Sequence, residues 1–293
     1  DEKAAREHLE ARRWHGTVVC PYCGEVERVQ DRKLESYYRC LACKKDFTVR
    51  TGTIFERSHV PLHKWMYAIY LVVTARKGIS SLQLSKEIGV TQKTAWFMLH
   101  RIREACSNND DQDGDAFLSG IVEADETYIG GKEMNKHESK KLNAGRGTVG
   151  KIGVIGIRER GGRVRCAVLK NTATKEIQGH VRNMVEAGST LCTDEHASYR
   201  GMSEYTHMPV CHSAKQFVDG MAHTNGIESV WAVLKRGFYG VYHSFSAKHL
   251  NRYVGEFSFR LNEGRCKVHT LDRMGFMLDR TIGVRLTYSA LKA

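Results

Sequence analysis

No apolar stretch in this chain is long enough to cross a bilayer. The longest, Trp65 to Val73, falls far short of the roughly 20 residues that a spanning helix needs, and it sits in an amphipathic pattern. A membrane partner is therefore not expected. Negative charge is in deficit too, with 33 Asp and Glu against 45 Lys and Arg, a formal net charge of +12. Such a surface suits a polyanion, nucleic acid first, better than an acidic small molecule. Internal repeats are absent. No secretory signal opens the sequence, and because Asp1 is not a methionine an upstream segment is expected.

A disulfide framework is also missing, although there are nine cysteines. Four of them form Cys20-Pro21-Tyr22-Cys23 and Cys40-Leu41-Ala42-Cys43, while Cys106, Cys166, Cys192, Cys211 and Cys266 stand singly and suit core packing. Two C-x-x-C pairs sixteen residues apart offer four thiolates on two tight knuckles, the tetrahedral set that Zn²⁺ prefers. A redox dithiol would need only one such pair. A closed four-cysteine site is structural, and it would fold a small ribbon, with strands expected at Val26–Val29 and Leu34–Tyr38, that lacks a core of its own. Lys44, Lys45 and Arg50 are placed there to meet phosphate or to form a solvated face.

At 293 residues the chain exceeds one ordinary domain. Residues 1–15 read as a short leading helix. From His63 to Cys106 the apolar spacing turns helical three times, through Trp65, Ile69, Val72 and Val73, then Leu84 and Ile88, then Ala95, Leu99 and Ile102. Gly89-Val90-Thr91 between the last two is a glycine stop followed by an N-cap, which gives a helix-turn-helix corner. Its spacing would offer Gln92, Lys93 and Arg101 to a DNA duplex. An ordinary three-helix core would carry the same apolar pattern. Ser107 to Asp115 is polar and acidic, the best boundary in the chain.

Beyond it the pattern alternates. Phe117 to Ala124 is strand-like and closes on Asp125; Lys151–Ile157 and Val164–Leu169 make a hairpin about Gly161-Gly162; Thr174 caps a helix whose Ile177, Val181, Met184 and Val185 face the core; Thr190–Thr193 is a short strand closing on Asp194. Glu133–Gly147 reads as a mobile loop. Another helix runs from Ser246 with Leu250, Tyr253, Val254, Phe257 and Leu261 on one face. Before it, Ile227, Val230, Trp231, Leu234 and Phe238 mark a buried stripe on a helix that also carries Glu228 and, two turns on, Lys235. If Asp125, Asp194 and Glu228 converge, they make a cage for hard divalent ions. Asn225 with Glu228 three residues later also resembles a capping box, in which the acid serves only the backbone.

The order of these blocks carries a resemblance. Trp14 and the Cys20/Cys23 and Cys40/Cys43 ribbon come first, then Thr51-Gly52-Thr53-Ile54-Phe55 with Lys64-Trp65. Val122-Glu123-Ala124-Asp125-Glu126-Thr127-Tyr128-Ile129-Gly130-Gly131-Lys132 and Thr193-Asp194 follow. After them stand His223-Thr224-Asn225 with Glu228, Leu234-Lys235-Arg236-Gly237, Gly240-Val241-Tyr242-His243, and Arg252-Tyr253 before Glu256-Phe257. Over nearly its whole length the chain resembles the DDE-type transposases of bacterial insertion sequences, in particular the group with an N-terminal zinc ribbon related to eukaryotic Merlin elements.

That resemblance implies a multidomain α/β protein. A zinc ribbon would occupy residues 1–55, a helix-turn-helix DNA-binding domain 56–106, a linker 107–116 and a ribonuclease H-like, retroviral integrase-like catalytic domain 117–293. It implies Mg or Mn as two catalytic ions held by three residues. Asp125 and Asp194 carry over as the first two; Asn225 and Glu228 both fall in the block of the third, and Glu228 is preferred because a carboxylate binds Mg²⁺ better than an amide. Lys235 would hold phosphate nearby. Glu123, Glu126 and Glu195 are neighbours of the site rather than ligands. The implied reaction is cutting of DNA at the element's terminal inverted repeats and joining of the 3′-hydroxyl to target DNA, by a homodimer or larger synaptic complex in the bacterial cytoplasm, at the nucleoid. The rival readings are a catalytically silent zinc-ribbon and helix-turn-helix regulator, and a host-adopted transposase.

Overall fold

The computed structural model describes residues 1–32, 36–107, 117–131, 133–142, 147–210, 222–263 and 268–293. Leu34, most of the linker 107–116, Cys211 and Cys266 lie outside them. The chain forms two compact units: Asp1–Ala75, Ile79–Asp110 and Cys266–Ala293 make the first, Arg76–Gly78 and Asp111–Arg265 the second.

In the first unit α1 (Glu2–Trp14) is capped by Asp1, whose carboxylate accepts from Ala4 N–H. Three short strands, β1 (Val29–Asp31), β2 (Tyr38–Cys40) and β3 (Asp46–Phe47), pair antiparallel as the ribbon. Their apolar support is aromatic, since Trp14 packs edge-on against Tyr38 and Phe47. Helices α2 (Leu62–Thr74), α3 (Ser81–Ile88) and α4 (Gln92–Ser107) follow at the three places where apolar residues recur. Ser80 caps α3, Gly89 ends it at φ 62°, and Thr91 Oγ1 accepts from Thr94 N–H at the start of α4.

The second unit is a five-stranded sheet with helices on both faces. Its strands are β4 (Ile121–Ile129), β5 (Ile152–Glu159), β6 (Val164–Val168), β7 (Thr190–Thr193) and β8 (Thr206–Pro209), in the order β6-β5-β4-β7-β8. The first three are antiparallel neighbours, whereas β4, β7 and β8 run parallel. Helix α5 (Thr174–Met184) packs Ile177 and Val181 against Val122, Ala124, Ile155 and Ile157 on one face. Helices α6 (Asn225–Gly237) and α7 (Leu250–Glu263) cover the other, with Ile227, Trp231, Leu234, Val254 and Phe257 against Val154 and Val164.

Two boundaries differ from the sequence reading. Strand β4 does not close at Asp125; Thr127, Tyr128 and Ile129 are good strand formers and keep pairing as far as Ile129 opposite Ile152. The last segment, with α8 (Thr270–Arg280) and α9 (Tyr288–Lys292), belongs with the N-terminal residues instead of the sheet. Arg12 makes two hydrogen bonds to Asp279, at 2.7 and 2.6 Å, and Gly283 N–H donates to Gly52 O at 2.9 Å. The ribbon and the three helices share that same unit. Residues 133–142 contain two short 3₁₀ turns, braced by Lys136–Glu133 and Lys141–Glu138 ion pairs, where an irregular loop was expected.

Candidate active site

Strand register sets the first two carboxylates. The parallel pairing of β4 with β7 matches Ile121 to Thr190, Val122 to Leu191 and Glu123 to Cys192, and the same register carried on by two residues sets Asp125 level with Asp194, where β7 has just ended. Neighbouring strands are about 4.8 Å apart, so this register brings Asp194 into the neighbourhood of Asp125.

The third comes from α6, and a tryptophan brings it in. Trp231 Nε1–H donates to Asp125 Oδ2 at 2.9 Å, and Glu228 lies three residues earlier on the same side of the helix. Room for the indole is made by Gly156, the residue paired with Asp125 on β5; a Cβ there would lie 2.4 Å from the Trp231 ring. Glu228 itself is exposed and accepts from Thr224 Oγ1 at 3.0 Å.

Electrostatics agree that the acids share a site. Burial pushes the Asp125 carboxyl up to about 6, and the charges of Asp194 and Glu228 add to the rise, against the Glu126 backbone N–H and the Trp231 hydrogen bond. Glu126, on the opposite face, is pushed up to about 7 by burial, with Asp125 and Asp194 adding, although it accepts a hydrogen bond from the buried Tyr199 hydroxyl. Asp194 Oδ1 accepts from His196 N–H at 3.0 Å, which fixes the turn after β7. A half-buried carboxylate repelled by two others is the arrangement that a divalent cation relieves, so the donor set fits a hard metal ion.

Asn225 is not the helix cap. It is the first helical residue, and Thr224 is the N-cap but makes no side-chain cap bond. The capping is done from the sheet: Glu123, 1% exposed, accepts from Ile227 N–H at 2.9 Å through Oε2. Its Oε1 accepts from Arg160 at 3.2 Å and lies 3.2 Å from His223 Nδ1. Arg158 donates to Gly226 O at 2.7 Å and Ser229 Oγ at 2.9 Å. Glu123 and Asp125 alternate onto the same face of β4, a period-two signal that was readable in Val122-Glu123-Ala124-Asp125.

In the first unit the four cysteine Sγ atoms lie within 4.8 Å of one another, and this is the one such metal-ligating set among the described residues; the acids are not drawn up so tightly. The Cys43 backbone N–H holds the Cys40 thiol down to about 7. The donor chemistry fits a structural Zn²⁺. Gln92 and Lys93 are exposed at the start of α4, where Gln92 donates to Ser81 Oγ at 2.8 Å and the Lys93 ammonium lies 5.2 Å from the centre of the Tyr288 ring. Arg101 overturns its expectation. It is 7% exposed, and its guanidinium donates to Ile54 O at 2.8 Å and Leu286 O at 3.1 Å, so it is spent on two carbonyls and is not offered to solvent.

Residues 117–262 match the ISXO2-like transposase domain, and residues 1–46 match the transposase zinc-ribbon domain. A protein of Halobacterium salinarum, described as an uncharacterized protein in transposable element ISH50, is 30% identical over 273 residues, covering 88% of this chain and 90% of that one. The chain belongs to this family of insertion-sequence transposases. Two solved structures also align, the Mos1 strand transfer complex and a pre-cleavage Mos1 transpososome. They are 13% and 12% identical, cover 68% and 69% of this chain and 76% and 74% of theirs, and have TM-scores of 0.23 and 0.21, too low to bear on the fold. No helix among the described residues of this transposase is long and apolar enough to cross a membrane.

Proposed function

We propose that this transposase cuts the ends of its element and joins the freed 3′-hydroxyl to target DNA at one site made by Asp125, Asp194 and Glu228. The observation that carries the reading is that Asp194 and Glu228 both lie close enough for their charges to act on the Asp125 carboxyl. A silent DNA-binding regulator would have no use for that repulsion. The strand order β6-β5-β4-β7-β8, antiparallel then parallel, supports a ribonuclease H-like catalytic domain.

Asp125, Asp194 and Glu228 would hold two Mg or Mn ions, which supply activation of the attacking oxygen and stabilisation of the leaving one in an in-line displacement at phosphorus. Trp231 holds the Asp125 carboxylate in place through one of its oxygens. Glu123 fixes the start of α6 and with it the position of Glu228. Lys235, exposed two turns beyond Glu228, meets phosphate. Helices α3 and α4, with Gln92 and Lys93 at the exposed start of the second, act as a helix-turn-helix that reads double-stranded DNA. Two ends must be joined together, so the working complex is a dimer or larger.

The test uses the full chain with duplex DNA carrying the inverted repeats that flank its gene. Mg²⁺-dependent nicking at the repeat boundary, lost in Asp194→Asn, is expected; equal cutting by that variant would refute the reading.

A further inference from the structure

The far end of α6 carries a second feature. Lys77, Lys235, Arg236, Tyr239, Gly240 and Val241 line a cavity of about 500 Å³, and only Lys235 has a part in the reading above. The helix ends here in a π turn, Phe238–Tyr242, closed by His243 N–H donating to Phe238 O at 2.7 Å. A π turn takes one residue more per hydrogen bond than an α turn, and such turns often mark functional sites. Here Phe238 is buried against Phe245 while Tyr239 stands 62% exposed.

Lys77 arrives from a separate piece of chain, and its place is set by backbone contact. A Cβ on Gly237 would lie 2.7 Å from Lys77 O, and a Cβ on Gly78, where φ is +99°, would lie 2.0 Å from Tyr242 Oη. Both glycines are therefore required for the Arg76–Gly78 strap to lie against the last turn of α6. The pull of the helix dipole on cations accounts for Lys235 and Arg236 in that turn, but not for a third cation delivered by the strap. No carboxylate among the described residues pairs with any of the three, and all three are exposed. Three uncompensated positive charges around one open cavity, with an exposed ring at its rim, make a seat for a phosphate joined to a flat group.

Resting on the reading that the acid cluster acts on DNA, we infer that this pocket holds a backbone phosphate of the DNA strand beyond the reacting phosphodiester, with Tyr239 stacked on the adjoining unpaired base. Lys235 lies about 10 Å along the helix from Glu228, too far for the pocket to hold the reacting phosphate itself. The strand then follows α6 from the acids to the π turn.

The experiment measures binding of the full-length protein to a fluorescent duplex of the flanking inverted repeat, blunt or with a short single-stranded extension, across a salt series. Lys77→Gln and Arg236→Gln should each flatten the slope of log K against log salt by about 0.7 to 0.9. Tyr239→Ala should weaken binding of the extended duplex roughly ten-fold and Tyr239→Phe should not, because stacking needs the ring and not the hydroxyl. The three substituted positions, Lys77, Arg236 and Tyr239, are all exposed, and unchanged thermal unfolding confirms that the variants are folded. Unchanged slopes in both charge variants, or an unchanged affinity in Tyr239→Ala, overturns the pocket. If that happens while the wild-type protein still cuts the repeat, the catalytic reading stands; if the wild-type protein neither binds nor cuts it, both fall.

Discussion

Glu123 on β4 caps α6: its Oε2 accepts the Ile227 backbone N–H at 2.9 Å, and the approach is so close that a Cβ on the intervening Gly226 would lie 2.5 Å from the same oxygen. A helix start normally caps itself with its own side chain, and here the sheet does the job. The helix that bears Glu228 is thus bolted to the strand that bears Asp125.

Removing that bolt has a measurable cost. Glu123→Ala leaves the Ile227 N–H without its acceptor and Arg160 without its buried carboxylate, and should destabilise the protein by on the order of 3 kcal/mol in urea unfolding. Gly226→Ala should cost less, about 1 to 2 kcal/mol, because the end of the Glu123 side chain can yield. A Glu123→Ala variant as stable as wild type would mean the capping contact contributes nothing.

How far the sequence was legible depends on the range of the cause. Helices α2 to α5 and the hairpin follow from spacing within a few residues and lie nearly where the sequence put them, whereas the ribbon strands Val29–Asp31 and Tyr38–Cys40 overlap the expected Val26–Val29 and Leu34–Tyr38 by one residue each. The pairing of Arg12 with Asp279, 267 residues apart, has no local signature, so nothing in the sequence ties the last segment to the N-terminal residues. Strand β8, Thr206–Pro209, is short, with no buried residue in it, and left no alternation to read. Asp125, Asp194 and Glu228 were legible as residues, but which of them come near one another depends on a strand register that only the sheet provides. Arg101 misled because a basic residue on a helix reads as exposed unless the carbonyls it meets are known.

Arg101 and Lys93 should therefore part company. Arg101→Ala strands the carbonyls of Ile54 and Leu286 and should lose on the order of 2 to 4 kcal/mol of stability. Lys93→Ala should leave stability nearly unchanged and flatten the salt dependence of DNA binding. Thermal unfolding and a salt titration on both variants make the comparison; a stable Arg101→Ala with a flattened slope would return that residue to the DNA surface.

The zinc site gives a direct assay. Cys40→Ser removes one of four thiolates from a closed tetrahedral set and should abolish stoichiometric zinc by elemental analysis. Retained zinc in that variant would exclude the four-cysteine assignment.

Proton linkage at the acid cluster has a definite sign. The Asp125 carboxyl is raised to about 6 from an ordinary value of 3.8, so the folded protein holds a proton that the unfolded chain releases earlier. The folded state is then penalised increasingly as pH rises from about 4 to 6, and fully above that. Asp125→Asn should remove the penalty and be more stable than wild type at pH 7.5 by on the order of 1 to 3 kcal/mol, with little difference at pH 4. Comparing the variant with wild type cancels the groups that titrate independently of Asp125. Mg²⁺ should raise the melting temperature of wild type more at pH 7.5 than at pH 5, where protons compete for the carboxylates, and should not raise that of Asp125→Asn. An equal Mg²⁺ effect on both proteins would place the ion elsewhere.

The choice between Glu228 and Asn225 as the third ligand is sharpened by α6 itself. Asn225 is the first helical residue and caps nothing, so Asn225→Ala has no capping energy to lose and should leave stability within about 0.5 kcal/mol of wild type. Any loss of activity in that variant then reports on the site and not on the fold. Glu228 accepts a hydrogen bond from Thr224, which a glutamine side-chain oxygen can also accept, so Glu228→Gln should fold normally while it removes one negative charge from beside Asp125. The expected result is that Glu228→Gln binds the element end as wild type does but neither cuts it nor transfers it, whereas Asn225→Ala retains most of both activities. Measuring transfer separately on a pre-cut end distinguishes a ligand, whose loss stops both steps, from a positioning group, whose loss slows one. An active Glu228→Gln beside an inactive Asn225→Ala would move the third ligand to Asn225, and Glu228 would then serve only as the partner of the Thr224 hydroxyl.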